Sequence, residues 1–132
     1  MNLNIYVNYN GNCREAFLFY EQHLGGKIIS IETFRQMPAA ANIPEERKDK
    51  ILHARIEIGG ALIMGADIPN AEPMRSAYLT LRYDTAGEAE ETYKVLSAGG
   101  EVFMKMEETG FATRFAMLRD KFGANWMLLC EK

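Results

Sequence analysis

The sequence predicts an α+β fold in which two tandem βαβββ modules form a curved mixed sheet. The same order of a strand, a helix and three strands occurs twice within 132 residues. A Gly-Gly pair follows each predicted helix, at 25–26 and at 99–100, and glycine ends helices because it takes the left-handed conformation without a Cβ penalty. A strand hairpin then closes each half, over 51–66 and 111–129. We predict one domain over 1–132, with modules 1–67 and 76–132 and a proline-bounded linker over 68–75.

The first module begins with a strand, because Leu3, Ile5 and Val7 alternate with polar residues. Asn12 is the predicted N-cap of the helix that follows, and Glu15 three residues later predicts a capping box. The packing face of this helix is predicted from apolar residues at helical spacing, namely Ala16, Phe17, Tyr20, His23 and Leu24. A second strand is predicted over 27–34, where β-branched and aromatic residues are frequent.

Residues 36–50 differ in composition from the rest of the module. They contain two prolines and six charged residues, and a short polar helix could follow Pro44. We interpret this stretch as a mobile excursion, which is either a lid or interaction arm or a plain solvated loop. The strands of the module's hairpin then follow, over 51–58 and 61–66.

The second module repeats this order. A strand is predicted over 77–83, and Thr85 with Glu88 forms a second capping box. The helix carries an apolar stripe and is followed by a strand over 101–107. The hairpin turns at 119–123, and weak alternation on both of its strands predicts burial on both faces.

Composition excludes several function classes. The net charge is −3 and the cations are scattered, so no nucleic-acid partner is predicted. No apolar run approaches the roughly 20 residues of a membrane span, and no secretory signal is visible. Cys13 and Cys130 form no CxxC motif, so reduced thiols and a cytoplasmic location are predicted.

Several motifs resemble the PhnB-like branch of the vicinal oxygen chelate superfamily, which includes glyoxalase I, extradiol dioxygenases and bleomycin-resistance proteins. The motifs are NGNCREA at 10–16, Phe19 with Tyr20, LGG at 24–26, DKILHARIEI at 49–58 and DKFGANW at 120–126. They span nearly the whole chain in the expected order. The resemblance implies the glyoxalase/bleomycin-resistance fold and a homodimer.

Metal-dependent members of that superfamily hold a divalent ion in a cup, with two His or Glu side chains from each module. The resemblance places these positions near Ile5, Met64, Tyr78 and Met127. None of the four offers a nitrogen or a carboxylate, which such ions require. We therefore predict no metal and no other cofactor.

Other candidates for the cup come from strand faces. His53, Arg55 and Glu57 share one face of the strand over 51–58, opposite an apolar face. His53 and Glu57 are about 13 Å apart on a straight strand, which is too far for one metal ion. Met64, Met104, Met106, Met117 and Met127 lie on predicted strands, as core filler or as the wall of an adaptable apolar pocket. The predicted ligand-binding residues are His53, Arg55, Glu57, Met64, Tyr78, Phe111, Arg114 and Met127.

Three further side chains have two interpretations each. Arg82 and Arg114 are either anion clamps or members of surface ion pairs. Cys13, at the start of a helix, has either a lowered thiol pKa or a plain packing role.

Three functions remain open, and the sequence does not decide whether the protein is an enzyme. The first is a binder of a small hydrophobic or anionic molecule in a metal-free cup. The second is a glyoxalase-like lyase, isomerase or dioxygenase with a relocated metal site. The third is a dimeric interaction module with a vestigial cup. The predicted partners are a second copy of the chain and an unidentified small molecule.

Overall fold

A computed structural model describes all 132 residues and divides them into two units, Met1–Glu72 and Pro73–Lys132. The elements of the first unit are β1 (Ile5–Tyr9), α1 (Cys13–His23), β2 (Lys27–Thr33), β3 (Ile51–Ile58) and β4 (Ala61–Asp67). They form a four-stranded sheet in the order β1-β4-β3-β2. The pair β1/β4 is parallel, and the other two pairs are antiparallel.

The second unit repeats this topology. Its elements are β5 (Leu79–Arg82), α2 (Ala86–Ser97), β6 (Glu101–Glu107), β7 (Ala112–Arg119) and β8 (Asn125–Glu131). The sheet order is β5-β8-β7-β6, again with one parallel pair, β5/β8. The predicted α+β fold with two βαβββ modules is therefore confirmed. Neither helix has the length and apolar character of a membrane span.

The first strand is displaced from its predicted position. Leu3 lies outside β1 and is 97% exposed, whereas Tyr9 is the last residue of β1 and 1% exposed. Tyr9 packs edge-on against Phe17 of α1. His23 was predicted on the packing face of α1 but is exposed, and its ring contacts Phe19 on the same helix.

The N-terminus of α1 is held by a distant side chain. Asn12 is the N-cap but makes no side-chain capping bond, so the predicted capping box of Asn12 and Glu15 is wrong. The buried carboxylate of Asp67 accepts the N–H of Cys13 at 3.0 Å and the N–H of Ile51 at 2.9 Å. Asp67 reaches these donors because it is the register partner of Tyr9 in the parallel pair.

The second unit also has a buried aspartate, at the hairpin turn. Asp120 accepts the backbone N–H groups of Phe122 and Ala124 and the indole N–H of Trp126. The predicted capping box of α2 is confirmed, because Thr85 Oγ1 accepts the N–H of Glu88 at 3.2 Å and also bonds its side chain.

Residues 34–47 contain three short 3-10 helices, Phe34–Gln36, Ala40–Asn42 and Glu45–Arg47. The helix predicted after Pro44 is the last of them. Arg35 ties the segment together, since its guanidinium bonds Asp49 through Nε at 2.8 Å and Glu45 through Nη2 at 3.3 Å. The hydrogen bond from Arg35 holds the pKa of the Asp49 carboxyl below its usual range. At Glu45 a hydrogen bond from Lys48, and then the one from Arg35, lowers the pKa of the carboxyl. The mobility of this segment stays a prediction.

Replacing Asp67 by Asn tests the capping role of this carboxylate. Asn is neutral and keeps one acceptor oxygen, so both buried N–H groups lose a charged partner and one of them is left without an acceptor. We expect the free energy of unfolding to fall by about 2 kcal/mol, as for other buried hydrogen bonds to charged groups. Urea unfolding followed by circular dichroism measures it. The control, Asp84→Asn, changes an exposed aspartate and is expected to stay within about 0.5 kcal/mol. Equal losses in both variants contradict the assignment.

Candidate functional site

Each sheet carries its helix on one face only. In the first unit α1 packs against β2, β3 and β4, and in the second α2 packs against β6, β7 and β8. Position 65 of β4 faces α1, because a Cβ atom added to Gly65 would lie 2.8 Å from the ring of Phe17. Side chains alternate along a strand, so its neighbour Met64 lies on the opposite face. We call the face away from the helix the open face of each sheet.

Strand register places four side chains in one row across the open face of the first sheet. Tyr6 pairs with Met64, Met64 with Arg55, and Arg55 with Ser30. We call these residues the first row. The ring centroids of Tyr6 and His53 are 5.9 Å apart with an interplanar angle of 35°. The pKa of Tyr6 is raised, first by burial and then by the nearby Cys13.

The predicted ligand residues of the first unit share this face. His53, Arg55 and Glu57 alternate with the buried Ala54 and Ile56. In the register His53 pairs with Glu32 and Glu57 with Lys27. Tyr6 and Ser30 are not recognisable as ligand-binding residues from the sequence, because only the strand pairing brings them into the row.

The equivalent row in the second sheet is almost entirely methionine. Thr80 pairs with Met127, Met127 with Met117, and Met117 with Met104. We call these residues the second row. Beside it lies an apolar cluster made of the buried Ala112, Phe115 and Leu129, against which Met117 and Met127 pack.

Aromatic side chains lie at both ends of the second sheet. Phe111 meets Phe115 in a T-shaped contact with centroids 5.2 Å apart. Toward the other end, Tyr78 meets Phe103 edge-on at 6.4 Å, and the Arg119 guanidinium lies over the Phe103 ring at 5.3 Å. Of the predicted residues in this unit, Met127 therefore lies in the second row, while Tyr78 and Phe111 contact different aromatic neighbours.

Arg114, which was predicted to bind a ligand, forms an ion pair with Glu90 instead of standing free. Its Nε donates to Glu90 of α2 at 2.6 Å, so its side chain lies on the helix side of the sheet. The physical reason is plain alternation, because Arg114 shares its strand face with Ala116 and Leu118, which are buried on the helix side. Arg82 forms an exposed ion pair with Glu131 at 3.3 Å, in keeping with the surface ion-pair interpretation.

Cys13 has the packing role rather than the reactive one. Its side chain is fully buried on the inner face of α1. Burial first, and then the negative charges of Asp67 and Glu15, raise the pKa of the thiol to about 12. The thiol therefore stays protonated at neutral pH, and the helix N-terminus does not make it a nucleophile.

The donor groups present do not fit the divalent metal of the superfamily. Ile5 pairs with Ile63, on the side of the buried Val7, so the residue that shares a row with Met64 is Tyr6. By the same register, Met127 shares a row with Thr80 rather than with Tyr78. A phenol, a hydroxyl and two thioethers replace the nitrogen and carboxylate ligands that such ions require. No three His, Cys, Asp or Glu side chains of the chain are grouped to hold an ion.

Comparisons with known proteins agree with the motifs. The family model of the Glyoxalase/Bleomycin resistance protein/Dioxygenase superfamily matches residues 3–128. Protein YjdN of Escherichia coli (strain K12) is 31% identical, over 97% of this chain and 94% of its own length. Protein PA1353 from Pseudomonas aeruginosa is 38% identical with a TM-score of 0.87, covering 99% and 98% of the two chains. A PhnB protein from Bacillus cereus, 22% identical with a TM-score of 0.85 over 98% and 99%, shares the fold.

The raised pKa of Cys13 predicts an alkaline loss of stability. Between about pH 9 and about pH 12 the unfolded chain releases the thiol proton while the folded chain retains it. The free energy of unfolding therefore falls as the pH rises through this window. Urea unfolding of the wild type and of Cys13→Ala at several pH values measures the effect. We expect the stability advantage of the wild type to shrink with pH, and parallel profiles contradict the prediction.

Proposed function

Because the chain belongs to the glyoxalase/bleomycin resistance/dioxygenase superfamily, as a PhnB-like and YjdN-like member, we propose that it binds a small hydrophobic molecule without a metal ion. The proposed site is the open face of the second sheet. The observation that carries the proposal is the second row, in which three methionines follow one another across three neighbouring strands.

The second row and the adjacent cluster form an apolar floor. Phe115 and Leu129 are each 8% exposed, while Met117 and Met127 remain partly accessible and Met104 is 46% exposed. Covering accessible apolar area with a ligand is favourable by roughly 25 cal/mol per Å². Methionine side chains are unbranched and flexible, so they adapt to ligands of different shape. These properties support a site for an apolar molecule.

Polar groups border this floor and could orient a ligand. Arg82 is the register partner of Leu129 and, with Tyr83, Asp84 and Glu131, lines an open cavity of about 410 Å³. Toward the opposite end of the strands, the Arg119 guanidinium donates hydrogen bonds to Asn125 Oδ1 and to the carbonyl oxygen of Met74. An apolar floor with a few polar groups at its border is the usual composition of small-molecule sites.

The other two functions have less support. An enzyme with a relocated metal needs a group of hard donors, and the chain has no such group of His, Cys, Asp or Glu. A vestigial cup should be filled by its own side chains, whereas the second row is still partly accessible. The homodimer implied by the resemblance stays a prediction.

Substitutions in the second row test the proposal with Nile red, a neutral apolar dye, in buffer containing EDTA. We expect the wild type to bind the dye, with the same affinity with and without EDTA. Met117→Lys introduces a charge that a bound apolar ligand would desolvate, so the affinity should fall by about tenfold or more. Fluorescence titration measures the dissociation constants.

Two further variants make the dye experiment decisive. Thr80 is exposed at the end of the row, so Thr80→Lys is expected to fold normally and also to weaken binding. Val102→Lys is the matched control, because Val102 is exposed and pairs with Leu118, a residue of the buried helix side. Equal weakening by Val102→Lys, or dye binding that EDTA abolishes, contradicts the proposal.

A further inference from the structure

We infer that the open face of the first sheet binds a small aromatic carboxylate, held by Arg55 and by the rings of Tyr6 and His53. This site lies within the first unit and uses none of the residues proposed to bind the apolar molecule. Its chemistry also differs, because the first row has an arginine and a serine where the second row has two methionines.

Arg55 is the only arginine of the chain whose guanidinium has no partner. The chain has eight arginines, and the other seven make hydrogen bonds, ion pairs, ring contacts or other electrostatic interactions. Four of them form ion pairs: Arg35 with Asp49 and Glu45, Arg82 with Glu131, Arg114 with Glu90 and Arg119 with Glu101. Arg14 donates to the carbonyl oxygen of Asp49, and Arg47 lies over the Phe34 ring. Arg75 also has an interaction partner. Arg55 is exposed on its strand and available to an external anion.

The carboxylates on the same face do not occupy Arg55. Glu57 lies two residues along β3, roughly 7 Å away on the backbone, and its register partner is Lys27. Glu32 is paired in the register with His53. Neither forms an ion pair with Arg55. The planar guanidinium can therefore bind a carboxylate through two parallel hydrogen bonds, and the hydroxyl of the adjacent Ser30 can donate a third.

The rings beside Arg55 favour an aromatic ligand. Tyr6 is 49% exposed, and its ring lies tilted toward that of His53. Tyr6 and Arg55 are two strand spacings apart, about 10 Å, with Met64 between them. A ligand with its carboxylate on Arg55 can thus lay an aromatic ring over Met64 and against Tyr6. Thioether–aromatic and offset ring contacts are both favourable.

Calorimetric titration with benzoate tests this inference. We expect the wild type to bind benzoate more tightly than acetate, which lacks the ring, benzamide, which lacks the charge, and inorganic phosphate, which lacks both the ring and the planar carboxylate. Arg55→Met should weaken benzoate binding by about tenfold or more, as expected for loss of a charge-assisted bidentate pair. Tyr6→Ala should weaken benzoate binding but not acetate binding.

Lys94→Met is the matched control, because it removes an exposed cation of α2 that is already paired with Glu91. It should leave benzoate binding unchanged. Arg55→Met should bind Nile red with the same affinity as the wild type. The two titrations therefore distinguish a failure of this inference from a failure of the proposed function. No benzoate binding by the wild type, or wild-type affinity in Arg55→Met, overturns the inference. An equal loss in Lys94→Met, or acetate or phosphate binding as tight as benzoate, also overturns it.

Discussion

The parallel pairing of the first and last strands of each unit is the constraint on which the remaining structure depends. In the first unit this pairing sets Tyr6 beside Met64 and Tyr9 beside Asp67. The first pair fixes the row on the open face, and the second brings a buried carboxylate to the N-terminus of α1. In the second unit the same pairing sets Thr80 beside Met127. One backbone register thus decides both how the first helix is held and which side chains a ligand can meet.

The two units use one topology for two kinds of surface. The open face of the first sheet has an unpaired arginine, two rings and a hydroxyl, whereas that of the second has methionines beside a buried phenylalanine and leucine. Neither row offers imidazole or carboxylate at the positions where metal-dependent relatives bind their ion. We propose that this chain uses a fold shared with metal-dependent proteins to bind organic molecules through side-chain packing and one cation, in keeping with the general separation of fold from function.

The fold was predictable from local signals, whereas the site was predictable only in part. Period-2 strands, the Gly-Gly helix ends and the Thr85–Glu88 capping box are encoded within a few residues, so two modules could be derived from the sequence. Asp67 acts on a helix more than fifty positions away, and no local pattern shows it. Arg114 lies on the helix side together with Ala116 and Leu118, and alternation along one strand does not say which of its two faces packs against the helix. Tyr6 and Thr80 belong to the two rows because of the register between strands. Alternation within a single strand does not determine that register, so their positions could not be predicted.

Methyl NMR of the protein labelled with ¹³C-methyl methionine tests the central claim most directly. The chain has eight methionines, and three of them form the second row. On titration with a neutral apolar ligand in EDTA, the account predicts saturable shifts of the Met104, Met117 and Met127 methyl signals. Met37, which lies among the 3-10 helices after β2, should not shift. An absence of shifts at the three row methionines, or shifts of equal size at Met37, would contradict the claim that this open face binds an organic molecule without a metal.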